Sequence, residues 1–173
     1  QSVFGPGEGV FALGKAIAGR VSGAIVFRTA QGARRVVLSD GDVVTAASEI
    51  PVEALTAYLV HTGDLDGDTA TRLAPRLPSS GRHAGAALIA QGFLKQDDLF
   101  PVLRAHAQFV VGQLLVDGPG SVEIEGEAGR LGQEPSVFGG STGAEVLVET
   151  ARRVVPPERA VAALGGQLSR FDR

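Results

Sequence analysis

The chain has 173 residues, a formal net charge of −3, 44% hydrophobic residues and 20% charged residues, so it is long enough for one domain with a real core. It contains no cysteine, which excludes disulfides, thiolate catalysis and cysteine-based zinc sites and fits a reducing cytoplasm. The acidic balance argues against nucleic-acid binding, and no apolar run approaches the ~20 residues of a membrane helix.

The start of the chain predicts an irregular segment followed by a helix. Residues 1–9 are rich in Gly and Pro and indicate a linker or an irregular lead-in. After them Val10, Leu13 and Ile17 recur at helical spacing, so we expect a helix that stops at Gly19. The chain begins at Gln1 and lacks methionine, which favours a piece of a longer protein.

Residues 22–48 predict a small antiparallel meander of three strands. The second turn carries Asp40-Gly41, a pair that suits a two-residue hairpin because both central positions need a positive φ. A later segment, residues 121–126, alternates with Val122 and Ile124 expected inward. We expect this strand to join the meander, which makes residues 52–116 a helical insertion.

Apolar periodicity and cap glycines predict the helices of the insertion and of the C-terminus. Gly63 and Gly92 follow two of the apolar stripes, where a left-handed cap residue is wanted. We expect helices at residues 52–62, 66–76, 82–91, 96–116, 144–155 and 157–168.

The insertion contains an internal repeat at an offset of 29 residues. Residues 54–77 align with residues 83–106, and the identical pairs include Leu59 with Leu88 and Gly63 with Gly92. Each copy is a helical hairpin that cannot bury its own apolar face, so we expect the two copies to stack. The predicted fold class is therefore α+β, with a small antiparallel sheet, an inserted tandem helical repeat and C-terminal helices.

The meander and the returning strand resemble PATAN-type domains of bacterial response regulators and of gliding or pilus-control proteins. The resemblance rests on residues 22–25, 37–46 and 120–124, which occupy the places of that family's strand, Asp-Gly hairpin and final strand. It implies one domain over residues 10–173 and a non-catalytic protein–protein interaction module in signalling or surface motility. The implied partner is another protein.

The repeat is similar to the paired motifs at the N-terminus of secretion and pilus assembly ATPases, which bind cyclic di-GMP. The resemblance implies an alternative ligand, cyclic di-GMP. Two histidines replace the polar ends of the motif in the second copy, and the arginines that should meet phosphate charge are missing from both copies. The matching nucleotide-binding positions are His83, Gly85, Leu88, Gly92, Leu94 and His106.

Other motif-like patterns carry no chemistry on inspection. Residues 9–16 nearly spell a phosphate-binding loop but have Ala16 where the hydroxyl is required. Asp64, Asp66 and Asp68 begin like a calcium loop that then lacks its glycine and final glutamate, which favours solvated carboxylates near a helix start. The pair Arg34-Arg35 is expected to be solvated. We therefore predict no catalytic residues, no metal site and no cofactor.

Overall fold

The computed structural model of the chain describes residues 1–78, 81–126, 129 and 134–154. Within these residues the strands are Ser2–Phe4 (β1), Gly23–Thr29 (β2), Gly32–Ser39 (β3), Asp42–Ser48 (β4) and Gly120–Glu125 (β5). The α-helices of the same residues are Gly9–Ala18 (α1), Leu55–His61 (α2), Gly67–Leu73 (α3), Gly81–Ala90 (α4), Leu99–Gln113 (α5) and Gly143–Val154 (α6).

The strands form one antiparallel sheet in the order β1-β5-β2-β3-β4. β5 lies directly beside β2, with Val122 opposite Phe27. The helical stretch α2–α5 is therefore inserted between two strands of the same sheet. This confirms the α+β fold class and the expected return of the last strand.

The β3–β4 connection is the two-residue turn that Asp-Gly predicts. Asp40 has φ 50° and Gly41 has φ 84°, so both central positions lie in the left-handed region. The Ser22 hydroxyl accepts a hydrogen bond from the Asp40 N–H at 2.8 Å, which ties the turn to the start of β2.

Two expectations about the sheet are wrong. The irregular lead-in contains β1, and residues 2–4 pair with residues 120–122; a strand of three residues that buries only Phe4 is too short to show a period. Ile124 shares a sheet face with buried Ile25 but is 55% exposed. Its position near the end of β5 leaves it outside the core that the helices cover.

The helices build two hydrophobic cores. In the first core α1, α5 and α6 pack on one face of the sheet, around Phe27 and Val110. In the second core α2, α3 and α4 pack on the first turns of α5, around Leu88 and Leu103. Because α5 contributes to both cores, it fixes the helical insertion against the sheet.

The two copies of the repeat have the same structure at equivalent positions. Gly63 and Gly92 end the first helix of each copy with φ 82° and φ 80°, the left-handed cap that glycine adopts without a Cβ penalty. Residues 29 apart are buried in both copies, as shown by the pairs Leu55/Ala84, Thr56/Gly85, Leu59/Leu88 and Ala70/Leu99. The apolar residues of these pairs lie in one hydrophobic core. This confirms that the two copies stack on each other.

Helix boundaries differ from the expected ones by short terminal turns. A 3₁₀ turn at residues 51–53 precedes α2, and another at residues 96–98 precedes α5. The helix expected at residues 157–168 lies outside the described residues. None of the helices in the described part of the chain combines the length and the apolarity that crossing a bilayer requires.

We predict that Gly85→Val lowers the free energy of unfolding by about 1–3 kcal/mol through overpacking. A Cβ at Gly85 would lie 2.5 Å from Leu99 Cδ1, between α4 and α5. Chemical denaturation of the whole chain measures the loss. Gly67→Ala is the control, because a Cβ at Gly67 meets nothing within 4 Å; an equal loss in both variants would contradict the tight α4–α5 contact.

Candidate functional site

A cavity of about 540 Å³ lies where the helical insertion meets the edge strand β4. This volume is in the range of about 300–1,000 Å³ that ligand pockets take. Its walls are formed by residues of β2 and β3, residues 45–49 at the end of β4, the starts of α2 and α4, residues 74–78, the first half of α5 and the segment 134–137. Apolar side chains on its walls include Leu55, Leu77, Phe100, Leu103 and Val137.

Both arginines on the cavity wall contact carboxylates. Arg35 pairs with Glu125 at 2.7 Å, across the face of β2. Arg82 lies 3.9 Å from Glu134, so this contact is a weak one. The wall thus carries two arginines and two glutamates, whose charges balance.

The segment after β5 forms one wall because it is bonded to the edge of β4. The Val137 N–H donates to the Val44 carbonyl at 2.9 Å, and the Ser136 hydroxyl donates to the Val43 carbonyl at 2.7 Å. Arg104 of α5 donates to the Phe138 carbonyl at 3.0 Å and stacks 5.6 Å from the centre of the Phe138 ring. The wall is therefore held by both the sheet and the helices.

A buried ionic cluster lies beside the cavity. Arg34 of β3 is 1% exposed and forms a two-pronged hydrogen bond to Glu53, just before α2. Its remaining terminal nitrogen donates to Asp117, shortly before β5. The Ser48 hydroxyl also donates to Glu53, at 2.5 Å. The cluster joins β3, the end of β4 and both ends of the helical insertion.

The pKa values of this cluster follow from its charges. Burial disfavours the charged guanidinium of Arg34, but the hydrogen bonds and charges of two carboxylates outweigh it and raise the pKa. Partial burial acts to raise the pKa of Asp117, yet the Arg34 hydrogen bond and charge outweigh it, and the pKa is lowered. Both side chains are therefore held in their charged forms.

His106 joins the cavity to this cluster. Its Nε2 lies 2.7 Å from the Glu53 carbonyl oxygen; since a carbonyl only accepts, Nε2 carries the proton and donates. The ring lies 5.5 Å from the centre of the Tyr58 ring and is 6% exposed. Burial is the main influence on the His106 pKa and lowers it below 6.5, so the imidazole is neutral near pH 7.

The residues matched to the cyclic di-GMP motif lie in different environments. Gly85 and Leu88 are buried between helices, whereas His83 and Gly92 are exposed. Leu94 packs at the margin of the second core. Of the six matched residues His106 alone is on the cavity wall.

The acidic run at residues 64–68 has a structural role. Asp66 caps α3 by accepting from the Thr69 N–H at 2.9 Å. The hydrogen bonds from Thr69 lower the pKa of this carboxyl. Across the described ranges, no three histidine, aspartate or glutamate side chains are close enough to share a metal ion.

The sequence interpretation missed the buried role of Arg34. The expected solvation of the Arg34-Arg35 pair is wrong for Arg34, although the Arg35 side chain is 42% exposed. Strand parity places Arg34 on the helix-covered face with Val36 and Leu38. The opposite face of β3 is also largely buried, so parity alone does not distinguish Arg34 from Arg35. The Arg34 partners Glu53 and Asp117 are far away in the chain, so no local pattern marks them.

Comparisons with known proteins add no family to this description. No family model matches the chain, and neither a curated protein nor a solved structure matches it.

We predict that Arg34→Leu lowers the free energy of unfolding by about 3–5 kcal/mol, because it leaves the buried Glu53 carboxylate without its counter-charge. Arg34→Lys keeps the charge but loses the two-pronged geometry, so it should lie between Arg34→Leu and the parent chain. Urea denaturation of the three chains at pH 7 measures the order.

Arg20→Leu is the matched control for that series. Arg20 makes the same kind of two-pronged contact, to Asp40 at 2.6 Å and 3.1 Å, but the two side chains are 73% and 65% exposed. We expect a far smaller change in the free energy of unfolding, because water screens this pair. A loss as large as that of Arg34→Leu would contradict the importance of burial.

We predict that the chain loses stability as the pH falls from about 7 to 5. The His106 pKa is lowered in the folded chain, so the unfolded chain binds more protons below the ordinary histidine pKa of 6.5, and acid favours unfolding. His106→Gln, which keeps an N–H donor, should flatten this slope in denaturation curves at stepped pH. An unchanged slope would show that His106 is not its source.

Proposed function

We propose that the chain is a non-catalytic protein–protein interaction module in bacterial signal transduction or in the regulation of surface motility, and that it acts in the cytoplasm. The cavity between β4 and the helical insertion is the observation that carries the proposal. It is mainly apolar, it has the size of a ligand pocket and it lies at the edge of a sheet, and exposed sheet edges can bind extended peptides.

The polar groups of the cavity support binding rather than catalysis. His106 is neutral and committed to the Glu53 carbonyl, while Arg35 and Arg82 contact carboxylates. The other ring nitrogen of His106, Nδ1, keeps its lone pair. A nucleophile would have to lie beside that base, but among the described residues the hydrogen bond of the His106 side chain is the one to Glu53. The engaged side chains instead give the cavity a fixed shape, which favours recognition of a partner.

Cyclic di-GMP remains the second candidate, because the two stacked hairpins have matching caps and matching buried positions. Gly85 and Gly92 are poor positions for testing it. A side chain at Gly85 would collide with Leu99, and one at Gly92 would be strained at φ 80°. His83 is exposed and can be changed without disturbing the core.

Site-specific photo-crosslinking in a bacterium that encodes the chain tests the proposal. We predict that a photoreactive residue at Ala47, on the cavity wall, captures one signalling or motility protein, such as a response regulator, a GTPase or a pilus ATPase. The control position is Ala86, which is exposed on α4 and outside the cavity wall. Equal capture from both positions would contradict a role for the cavity.

Calorimetric titration of the purified chain with cyclic di-GMP separates the two candidates. No heat of binding up to about 100 μM nucleotide, about −5.5 kcal/mol on the standard scale, supports the interaction module. Micromolar binding that is lost in His83→Ala would overturn it in favour of the nucleotide receptor.

A further inference from the structure

From Thr45 to Glu49 the main-chain groups point alternately toward β3 and away from it. The Glu49 N–H donates to the Ala33 carbonyl at 2.9 Å, and the register continues in the same phase through Ala47 and Thr45. In an antiparallel ladder both main-chain groups of a residue point to the same side. The N–H and C=O groups of Ala46 and Ser48 therefore point away from β3, and both residues line the cavity.

Another chain segment already uses this outer edge of β4. Val44 is the extra residue of a β-bulge between Val43 and Thr45. Its carbonyl accepts the Val137 N–H at 2.9 Å. Among the residues that the structure describes, no such main-chain bond reaches Ala46 or Ser48 from outside the sheet. The outer edge of β4 thus forms a main-chain hydrogen bond at Val44. The main-chain groups of Ala46 and Ser48 remain available to a segment in the cavity.

We propose, on the basis of the interaction-module function, that the cavity binds an extended segment of the partner protein, which adds to the sheet beside β4. The segment pairs with the main-chain N–H and C=O groups of Ala46 and Ser48. Addition of a strand to an exposed sheet edge is an established mode of peptide recognition, in which main-chain bonds give affinity and pockets for alternate side chains give specificity.

The walls of the cavity indicate the chemistry of the segment. Leu77, Phe100 and Leu103 offer apolar contact beside the edge, and Phe100 is 45% exposed. Alternate side chains of an added strand point to the same side, so every second residue of the segment is aliphatic. The balanced charges of Arg35, Arg82, Glu49 and Glu134 select for neither a strongly acidic nor a strongly basic segment.

Amide hydrogen exchange combined with peptide selection tests this inference. Random nine-residue peptides displayed on phage are selected on the full chain, and exchange at β4 is followed by NMR with and without a selected peptide. In the free chain the amides of Thr45, Ala47 and Glu49 should exchange slowly and those of Ala46 and Ser48 quickly. A bound peptide should slow Ala46 and Ser48 at least tenfold.

A modified peptide and a variant of the chain distinguish strand addition from other modes of binding. N-methylation of every second peptide amide, at the positions that face β4, should weaken binding at least tenfold. A peptide methylated at the alternate amides, which face away from β4, should keep its affinity. Ala46→Pro removes the outward N–H without touching the β3 ladder and should weaken binding similarly; its unfolding transition reports whether it remains folded. The methylated peptides test the same bond on the unaltered chain.

The outcomes separate the inference from the function on which it rests. Selected peptides that bind equally in both methylation phases would overturn strand addition and leave the interaction module standing. If no peptide is selected but Ala47 captures a partner, strand addition is overturned and the interaction module stands. Failure to select any peptide together with no partner captured at Ala47 would overturn both.

Discussion

One buried guanidinium holds the helical insertion to the sheet. Arg34 extends from the middle strands to Glu53, where the insertion begins, and to Asp117, where it ends. Closing a loop of this length costs conformational entropy, and charge-assisted hydrogen bonds at a single point offset part of that cost. A buried ion pair is weak evidence of net stability but strongly fixes geometry, because a broken pair leaves an uncompensated charge. The cluster therefore specifies where the insertion leaves and rejoins the sheet.

The cavity is a consequence of that attachment. His106 bonds to the carbonyl of the same Glu53 that Arg34 holds, so α5 is located relative to the start of α2. The first turns of α5 belong to the helical core and its last turns to the sheet core. Between these fixed parts lies the edge of β4, and among the described residues, residues 136 and 137 cover only part of it. Natural sheets usually cover or charge an exposed edge, and this edge is the place where we propose that another chain binds.

Features with local signals could be predicted from the sequence, and features that depend on distant contacts could not. The Asp40-Gly41 turn and the cap glycines Gly63 and Gly92 each reflect a local backbone requirement, and the two hairpins follow from periodicity. The strand at residues 2–4 is too short for a pattern and exists through its pairing with β5. The burial of Arg34 could not be predicted without knowing its two carboxylate partners, which are distant in sequence. The cavity arises from segments distant in sequence, among them β4, the helical insertion and residues 134–137, and hydropathy contains no signal for it.

The repeat shows how similar sequences acquire different roles. In the first copy the second helix, α3, has seven residues and is capped by Asp66. In the second copy its counterpart is α5, which has fifteen residues and continues from the helical core onto the sheet. The first copy contributes Leu55 and Leu77 to the wall of the cavity. The second copy contributes Leu103 and His106 and also packs on the sheet. A partner in the cavity would contact the sheet edge and this shared helix together, so its binding would depend on the insertion being correctly attached at Arg34.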